Sequence, residues 1–509
     1  MLEREKIKRA FLFFFSFSFF SYLIILYWIP GIMARYGNMG RALSLTGLVV
    51  LAAFLSLFTG LAGILIRKVL SSAATDVPSP VLKNTPKTVA KRLIKSFLGG
   101  SGGRFFKKAP LAAGGKNAAI FLIPFIWVAK DLIVEHVLSG FPWCITGYSQ
   151  HNNLFFIQAA EFGGVHLITF LVIYLNILFY LLLRDRERRG RVLLAILISF
   201  FSIYTIGYSL YRNAEFKTAP LPIHKAGIIQ PNAGNNVMYS SEVRRRLDRL
   251  FAQSKELAGK GAEFVVWPEY TVPILPMQTP FYFKKFKDFV TGHVPIIAGF
   301  NDFKGKDEFY NTAFLFKKDK VERYYKVHLT PFGEYVPLRK MLFFVKNITN
   351  EIGDYTFGKS VFNVEIDGHS VSLPICYEVI FPQLIRDFTA KGSELMVTIS
   401  NDLWEGDTAG PRQILSMALF RSVENRRYML RSTSTGISAL VTPTGRITHR
   451  SKWGVEDAFI AEFKYIKGKT LFVRFGYLFP YFCLFVVLLY VLRLLWAIFT
   501  TKPRGAGSL

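Results

Sequence analysis

The sequence is poor in cysteine and in acidic residues. Its 509 residues contain three cysteines, Cys144, Cys376 and Cys483, too few for a disulfide-stabilised scaffold. Asp and Glu number 35 against 63 Lys and Arg, which gives a formal net charge of +28. No zinc-ligand pattern and no aromatic RNA-binding motif accompanies this charge, so we expect neither a metal site nor a nucleic-acid partner.

Long apolar runs are abundant. Hydrophobic residues make up 51% of the chain, and 50 of them are Phe. A bilayer-spanning helix needs about 20 apolar residues. No small-residue cleavage site follows the first run, which we therefore interpret as an anchor and not as a signal peptide. The predicted spans are Phe11–Ile29, Leu43–Ile66, Val165–Leu183, Val192–Tyr211, Gly476–Leu492 and a weaker one near Leu111–Ala129.

The positive charge is concentrated between these spans. Residues 67–116 contain 11 Lys or Arg and one acid, and residues 184–191 are also basic, whereas residues 138–164 contain no Lys or Arg. Basic loops remain cytoplasmic. We therefore predict a membrane region at 1–211 with about five spans and a basic cytoplasmic insertion at 67–116, an extracytoplasmic domain at 212–470, and a final span with a cytoplasmic tail at 471–509. The loop at 30–44, which carries Arg35 and Arg41, fits this topology least well.

The extracytoplasmic region alternates short branched apolar runs with helical periodicity, as expected for an α/β layered domain. Helices are predicted at Ser241–Leu257 and Pro411–Leu430. The predicted strands are KAGIIQP, EFVVWPE, VPIIAGF, NTAFLFK, VSLPICYE, ELMVTISND and ISALVTP.

Reactive side chains follow three of these extended segments. Glu269 ends EFVVWPE, Lys326 begins KVHLTPFGE, and Cys376 lies in LPICYE. Each has an ordinary structural explanation: a turn cap, a solvated charge and a small buried hydrophobe. Because reaction centres of open α/β sheets lie beyond strand ends, the three together favour catalysis.

The chemistry requires these residue types together. A thiol attacks as a thiolate and needs a base, a role that Glu269 fills if burial raises its pKa. Lys326 would stabilise an oxyanion together with the backbone N–H after Cys376. Glu334 would hold Lys326 or guide an amine. His328, two residues from Lys326, is not interpreted as a partner of Cys376, so we do not expect a Cys–His pair.

Six motifs carry a resemblance to a known family: WPE, KxHLxPFGEYVPL, ICYE, SNDxWxGDxxGPxQ, FPWxxxGYSQ and RSTxxGISALVxPxG. Together with the membrane spans, they resemble the apolipoprotein N-acyltransferase family of the nitrilase (carbon–nitrogen hydrolase) superfamily. The resemblance implies a nitrilase-like αββα sandwich inserted between the transmembrane helices of a helical membrane bundle. It also implies a Glu269, Lys326 and Cys376 triad with Glu334, Tyr377 and Glu378 in support.

The resemblance further implies a two-step reaction without a cofactor. Cys376 would take a fatty acyl chain from a phospholipid, with phosphatidylethanolamine as the expected donor. The α-amine of the N-terminal diacylglyceryl-cysteine of a lipoprotein would then accept the chain. The expected location is the bacterial inner membrane, with the catalytic domain on the periplasmic side.

The chain departs from the family pattern in three places. The family has eight membrane helices and six are predicted here, so the other two would precede Phe11. A Lys-Trp pair of the family corresponds to Met238-Tyr239, which places Tyr239 in an altered substrate-binding wall. In the loop NDLWEGDTAG, whose Trp404 we expect to gate the site, Glu405 replaces an aromatic residue, so acyl-chain or head-group preference could differ.

Two alternatives remain open from the sequence. A membrane-tethered nitrilase-type amidase would use the same triad with water at the thioester, although the aromatic Phe332 and Trp404 favour a lipid-binding site. A transporter or scaffold with an inert outer domain would need intramembrane charges. The candidates for those, Lys130, Asp131 and Glu135, lie at the edge of a predicted span.

Overall fold

The computed structural model describes residues 2–35, 37, 39–74, 118–234, 240–305, 307–336 and 355–500. Five of the described helices are long and apolar enough to cross a membrane. The sixth predicted span lies partly outside the described residues, and its last seven residues form the start of a helix of 14 residues, Ile123–His136. The helices of the membrane region are α1 Leu2–Ile25, α2 Ile29–Arg35, α3 Arg41–Ala74, α4 Ile123–His136, α5 Ala160–Arg184, α6 Arg189–Thr218, α11 Leu471–Phe475 and α12 Leu478–Thr500.

Between α6 and α11 lies a sandwich of two six-stranded sheets, in the orders β12-β1-β2-β3-β4-β5 and β11-β10-β9-β8-β7-β6. Helices α7 Ser240–Gly259 and α8 Pro280–Gly292 pack on the first sheet, and α9 Pro382–Ala390 and α10 Ala409–Asn425 belong to the second layer. The strands are β1 His224–Gln230, β2 Phe264–Val266, β3 Ile296–Lys304, β4 Glu308–Phe316, β5 Val321–Tyr325, β6 Val364–Ile366, β7 His369–Ser372, β8 Leu395–Ser400, β9 Met429–Thr433, β10 Ala439–Val441, β11 Ile447–Arg450 and β12 Asp457–Phe463.

The central strands are buried on both faces, which explains their unbroken apolar runs. In β2, Val265 faces the helices α7 and α8, whereas its neighbour Val266 faces the second sheet. In β8, all six residues are buried. The site therefore lies on a rigid double sheet.

The sandwich joins the membrane helices through α10. Glu424 of α10 accepts a hydrogen bond from the backbone N–H of Val165 at 2.9 Å. Val165 follows Gly164, whose φ of +67° interrupts α5 where a Cβ would lie 2.7 Å from Phe472. The carboxylate thus satisfies a backbone donor where the regular part of a membrane helix begins.

The structure changes two predicted elements. The predicted helix Pro411–Leu430 ends at Asn425, since Arg426 adopts a left-handed conformation and Met429–Thr433 forms a strand. The predicted strand VSLPICYE ends at Ser372, before Pro374, which has no N–H for the ladder. The helix α3 also continues to Ala74, so that residues 67–74 of the basic section are helical, and the rest of that section falls outside the described residues.

Candidate active site

Cys376 lies at a sharp turn of the second sheet. An isolated bridge pairs Ile375 with Ile399, and the chain then enters the short 3₁₀ helix Cys376–Ile380. Cys376 itself has a φ of +51°, a conformation that costs a non-glycine residue about 1–2 kcal/mol. The turn leaves the thiol partly exposed, so the backbone holds a strained, accessible nucleophile.

Glu269 follows β2 and lies against the neighbouring strand. A Cβ at Gly299 would be 2.6 Å from its Cα. Its carboxylate accepts hydrogen bonds from Asn311 Nδ2 at 2.7 Å and from the Asn401 backbone N–H at 2.9 Å. Burial raises its pKa, although Lys326 opposes the shift, and the Cys376 thiol lies within hydrogen-bonding reach. A carboxylate in this environment is a stronger base than one in water.

Lys326 immediately follows β5 and contacts two carboxylates. Its Nζ lies 2.9 Å from Glu334 Oε2 and 3.7 Å from Glu269 Oε1. Burial alone would lower its pKa, but Glu334 and Glu269 outweigh burial and hold the pKa above its ordinary value. Lys326 is therefore a fixed positive charge beside the thiol.

Glu378 connects the Lys326 loop to the Cys376 turn. Its Oε1 accepts hydrogen bonds from the Val327 and His328 backbone N–H groups at 2.7 and 3.0 Å, and Oε2 accepts one from Ile375 at 2.8 Å. The Tyr324 hydroxyl donates a further bond at 2.8 Å. Burial raises the pKa of Glu378 to about 7 against the effect of these donors. Glu378 thus fixes the relative position of the cation and the nucleophile without contacting the thiol itself.

Asn311 is a site residue that sequence reasoning missed. Its Nδ2 donates to Glu269 Oε1 at 2.7 Å and to Glu334 Oε1 at 2.6 Å, which links the two carboxylates directly. It comes from β4, where it is buried beside Thr312 and just before the apolar residues 313–316. A polar residue inside such a strand was the available signal.

The structure describes Tyr377, Trp404 and His328 among the other residues that the sequence singled out. The Tyr377 ring stacks on Trp143 at 6.5 Å, towards the membrane helices. Trp404 is 40% exposed, and Tyr239 lies outside the described residues. His328 is not on a strand, because β5 ends at Tyr325; its ring packs 3.7 Å from that of Phe381, and burial lowers its pKa to about 4.

The thiol and Glu269 are poised to exchange a proton. Burial and the Glu269 charge both raise the pKa of Cys376, whereas Lys326 lowers it. The resting thiol therefore keeps its proton until the sulfur begins to bond to an electrophile. Glu269 is the adjacent carboxylate, and Lys326 is the adjacent cation.

Comparisons with known proteins show the family to which the chain belongs. A sequence profile of the carbon–nitrogen hydrolase family matches residues 225–466, and one of the apolipoprotein N-acyltransferase N-terminal domain matches 1–84 and 88–178. The apolipoprotein N-acyltransferase of Geobacter metallireducens is 26% identical over 94% of this chain and 86% of its own length. That of Azotobacter vinelandii is 30% identical over 72% of this chain and 70% of its own.

This chain belongs to the apolipoprotein N-acyltransferase family. It is accordingly a membrane-associated acyltransferase with a nitrilase-like αββα domain inserted between membrane helices, and the amidase alternative is not favoured. Among solved structures, it is similar to an amidase from Nesterenkonia sp., at 17% identity and a TM-score of 0.38 over 49% of this chain and 92% of that one. It is also similar to a carbon–nitrogen hydrolase from Helicobacter pylori, at 17% identity and a TM-score of 0.37 over 47% of this chain and 88% of that one.

Proposed function

We propose that this apolipoprotein N-acyltransferase works through a thioester at Cys376. The observation that supports this most strongly is the single cluster formed by the strained, partly exposed thiol, the buried Glu269 and the fixed cation Lys326. The donor is a phospholipid, with phosphatidylethanolamine as the expected one. The acceptor is the N-terminal diacylglyceryl-cysteine of a lipoprotein.

In the first step, Glu269 takes the thiol proton as sulfur attacks the ester carbonyl. Lys326 and the backbone N–H of Tyr377 stabilise the tetrahedral oxyanion. The C–O bond of the ester breaks, and the proton passes from Glu269 to the departing alcohol. A lysophospholipid leaves, and the acyl group remains on Cys376.

In the second step, the α-amine of the acceptor attacks the thioester. The amine transfers a proton to Glu269 as the C–N bond forms, and the C–S bond then breaks. Glu269 returns that proton to the thiolate, which regenerates the thiol. Glu334, bonded to Lys326 and to Asn311, keeps the cation in place through both steps.

We also propose that the sandwich lies on the periplasmic side of the bacterial inner membrane. The basic loop at 184–191 lies at one end of α6, and the sandwich begins beyond the other. At 1.5 Å per residue the 30 residues of α6 extend about 45 Å, enough to cross a bilayer. The basic end then corresponds to the cytoplasm.

Mass spectrometry of purified protein tests the thioester. Phospholipid alone should add one acyl group to Cys376, and a diacylglyceryl-peptide should then remove it with formation of an amide. Glu269→Gln should block the first addition. Rapid peptide acylation with an alkylated Cys376 would disprove the covalent route.

Membrane-impermeant thiol labelling tests the orientation. In a variant without native cysteines, Lys304→Cys in the exposed β3–β4 turn should react in spheroplasts with an intact inner membrane. Glu187→Cys, equally exposed but in the basic loop, should react only after permeabilisation. The reverse pattern would refute the orientation without affecting the thioester mechanism.

A further inference from the structure

Glu405 is a carboxyl group within electrostatic range of the thiol that the mechanism above does not use. It lies in the loop between β8 and α10, which reaches the site where the Asn401 backbone N–H donates to Glu269, and when ionised it raises the pKa of Cys376. Its Cβ and Cγ lie 2.9 Å from the position that a Cβ on Gly410 would occupy. The absence of a side chain at Gly410 therefore lets Glu405 pack against the first turn of α10, within electrostatic range of the thiol.

The carboxyls around Cys376 differ in their counterions. Glu269 and Glu334 share Lys326, and both oxygens of Asp402 accept hydrogen bonds from Arg431 at 2.8 Å. Glu405 is in no ion pair within the described part of the chain, and its Oε2 is buried without a hydrogen-bond partner there. A carboxyl with a buried, unpartnered oxygen and no counterion either keeps a proton or binds a cation.

We propose that Glu405 binds the ammonium group of an amine-bearing substrate. The inference rests on the proposed function, which brings such a group to Cys376 either as the α-amine of the acceptor or as the aminoethyl head group of the donor. An ammonium supplies one positive charge and N–H donors, which matches one carboxylate with an unpaired oxygen. The described residues hold no group of three His, Cys, Asp or Glu arranged for a metal, so a metal ion is the poorer match.

The electrostatics of the free site agree with this assignment. Burial, reinforced by Asp402, raises the pKa of Glu405 to about 8. The empty site therefore holds a proton there at neutral pH. An arriving ammonium displaces that proton to solvent, so the pair stays neutral and the buried site acquires no net charge.

Glu405→Gln tests the proposal, because it removes the charge and keeps the shape. The matched control is Asp407→Asn in the same loop, where the carboxylate is exposed and pairs with Arg412 at 2.9 Å. Loading of Cys376 is measured with phosphatidylethanolamine and with phosphatidylglycerol of the same acyl chains. Discharge is measured with a diacylglyceryl-peptide, and the half-maximal concentration is determined for each substrate.

We expect one half-maximal concentration to rise by about tenfold or more, the loss typical of a hydrogen bond to a charged group. A rise for phosphatidylethanolamine but not phosphatidylglycerol assigns the ammonium to the donor. A rise for the peptide with both loading reactions unchanged assigns it to the acceptor. An equal rise for both donors, or no change in any reaction, overturns the proposal.

A measurement on the unaltered protein covers the case in which Glu405→Gln fails to fold. Ethylammonium chloride should inhibit the reaction more than sodium chloride at equal ionic strength, and equal inhibition overturns the proposal. Loading with phosphatidylglycerol, which carries no amine, distinguishes a failure of this proposal from a failure of the proposed function. If the unaltered protein forms no acyl adduct on Cys376 from either lipid, then the thioester mechanism itself has failed.

Discussion

Two buried ionic clusters in this molecule differ in how their charges balance. At the junction with the membrane helices, Arg421 and Glu424 are fully buried and form a one-to-one pair, with Arg421 Nε 2.7 Å from Glu424 Oε2. Backbone groups complete it: Arg421 donates to the Ile380 carbonyl at 3.0 Å, and Glu424 accepts from Val165. At Cys376, one cation serves two carboxylates, and within the described residues a third carboxyl, that of Glu405, is in no ion pair and has one oxygen without a hydrogen-bond partner.

The difference separates a structural role from a chemical one. A pair with balanced charge keeps its protonation state, and it fixes one element against another. A cluster with surplus carboxylate holds protons loosely, because every ionised group disfavours ionisation of the next. Proton transfer requires the second arrangement. Variants at Cys376 and its neighbours should therefore lose activity, whereas variants of the Arg421–Glu424 pair should lose stability.

The largest expected effect is at the nucleophile. Cys376→Ala should abolish acyl transfer because no thioester can form, and Cys376→Ser should come close because a hydroxyl is far harder to deprotonate. Intact-mass detection of the acyl adduct measures the result. A Cys376→Ala protein that acylates peptide at the unaltered rate would show that the thiol is a core residue.

Removal of the cation should come next. Lys326→Met keeps the length of the side chain and removes the charge, and loss of one oxyanion donor typically costs about 100- to 1,000-fold in kcat. The rate of thioester formation is the measurement. Lys317→Met is a control, since Lys317 pairs with Glu322 on the far side of β4 and β5. Equal losses in the two variants would contradict a specific role for Lys326.

Asn311→Ala should have an intermediate effect. Without the shared amide, Glu269 and Glu334 each lose a hydrogen bond, and bonds to charged groups contribute about 1.5–3 kcal/mol each. We therefore expect a loss in kcat of about 10- to 100-fold. Glu334→Gln combined with Asn311→Ala should cost less than the sum of the single effects. Strict additivity would mean that Asn311 does not act through the carboxylates.

The junction cluster should affect stability and not chemistry. Arg421→Met leaves Glu424 buried without its partner, and such a break costs about 3–5 kcal/mol. Arg412→Met on the same helix removes an exposed pair worth about 0–1 kcal/mol. Thermal unfolding and the activity per folded molecule distinguish the two losses. A large fall in the activity per folded molecule of Arg421→Met would remove the distinction between the clusters.

The smallest effect is expected at the mouth of the site. Trp404→Ala should slow acyl loading or discharge, and it should change the free energy of unfolding by no more than about 0.5 kcal/mol, since the side chain is partly exposed. The amount of acyl adduct at fixed reaction times measures loading and discharge, and thermal unfolding measures the stability. Reduced stability with unaltered specific activity would identify a structural tryptophan.

The sequence alone was sufficient for the layered α/β domain and for the three reactive residue types. Strands such as β1 and β8 carry their apolar pattern locally, and Glu269 and Cys376 each follow such a run. It was insufficient for β9, because nothing local stops the predicted helix before Leu430. The strand forms there because its residues pair with β8 and β10, which is a tertiary effect.

Only the tertiary structure decided how the site is charged. The sequence places Glu269, Asn311 and Glu334 in separate segments. The packed sheets bring both carboxylates within 3 Å of the Asn311 amide, and they bring Glu334 within 3 Å of the Lys326 ammonium. The same packing buries Glu378 between two loops and leaves one oxygen of Glu405 buried without a hydrogen-bond partner among the described residues. Residue type and local pattern determine which side chains are present. Burial and proximity determine their protonation, and both depend on contacts between residues far apart in the chain.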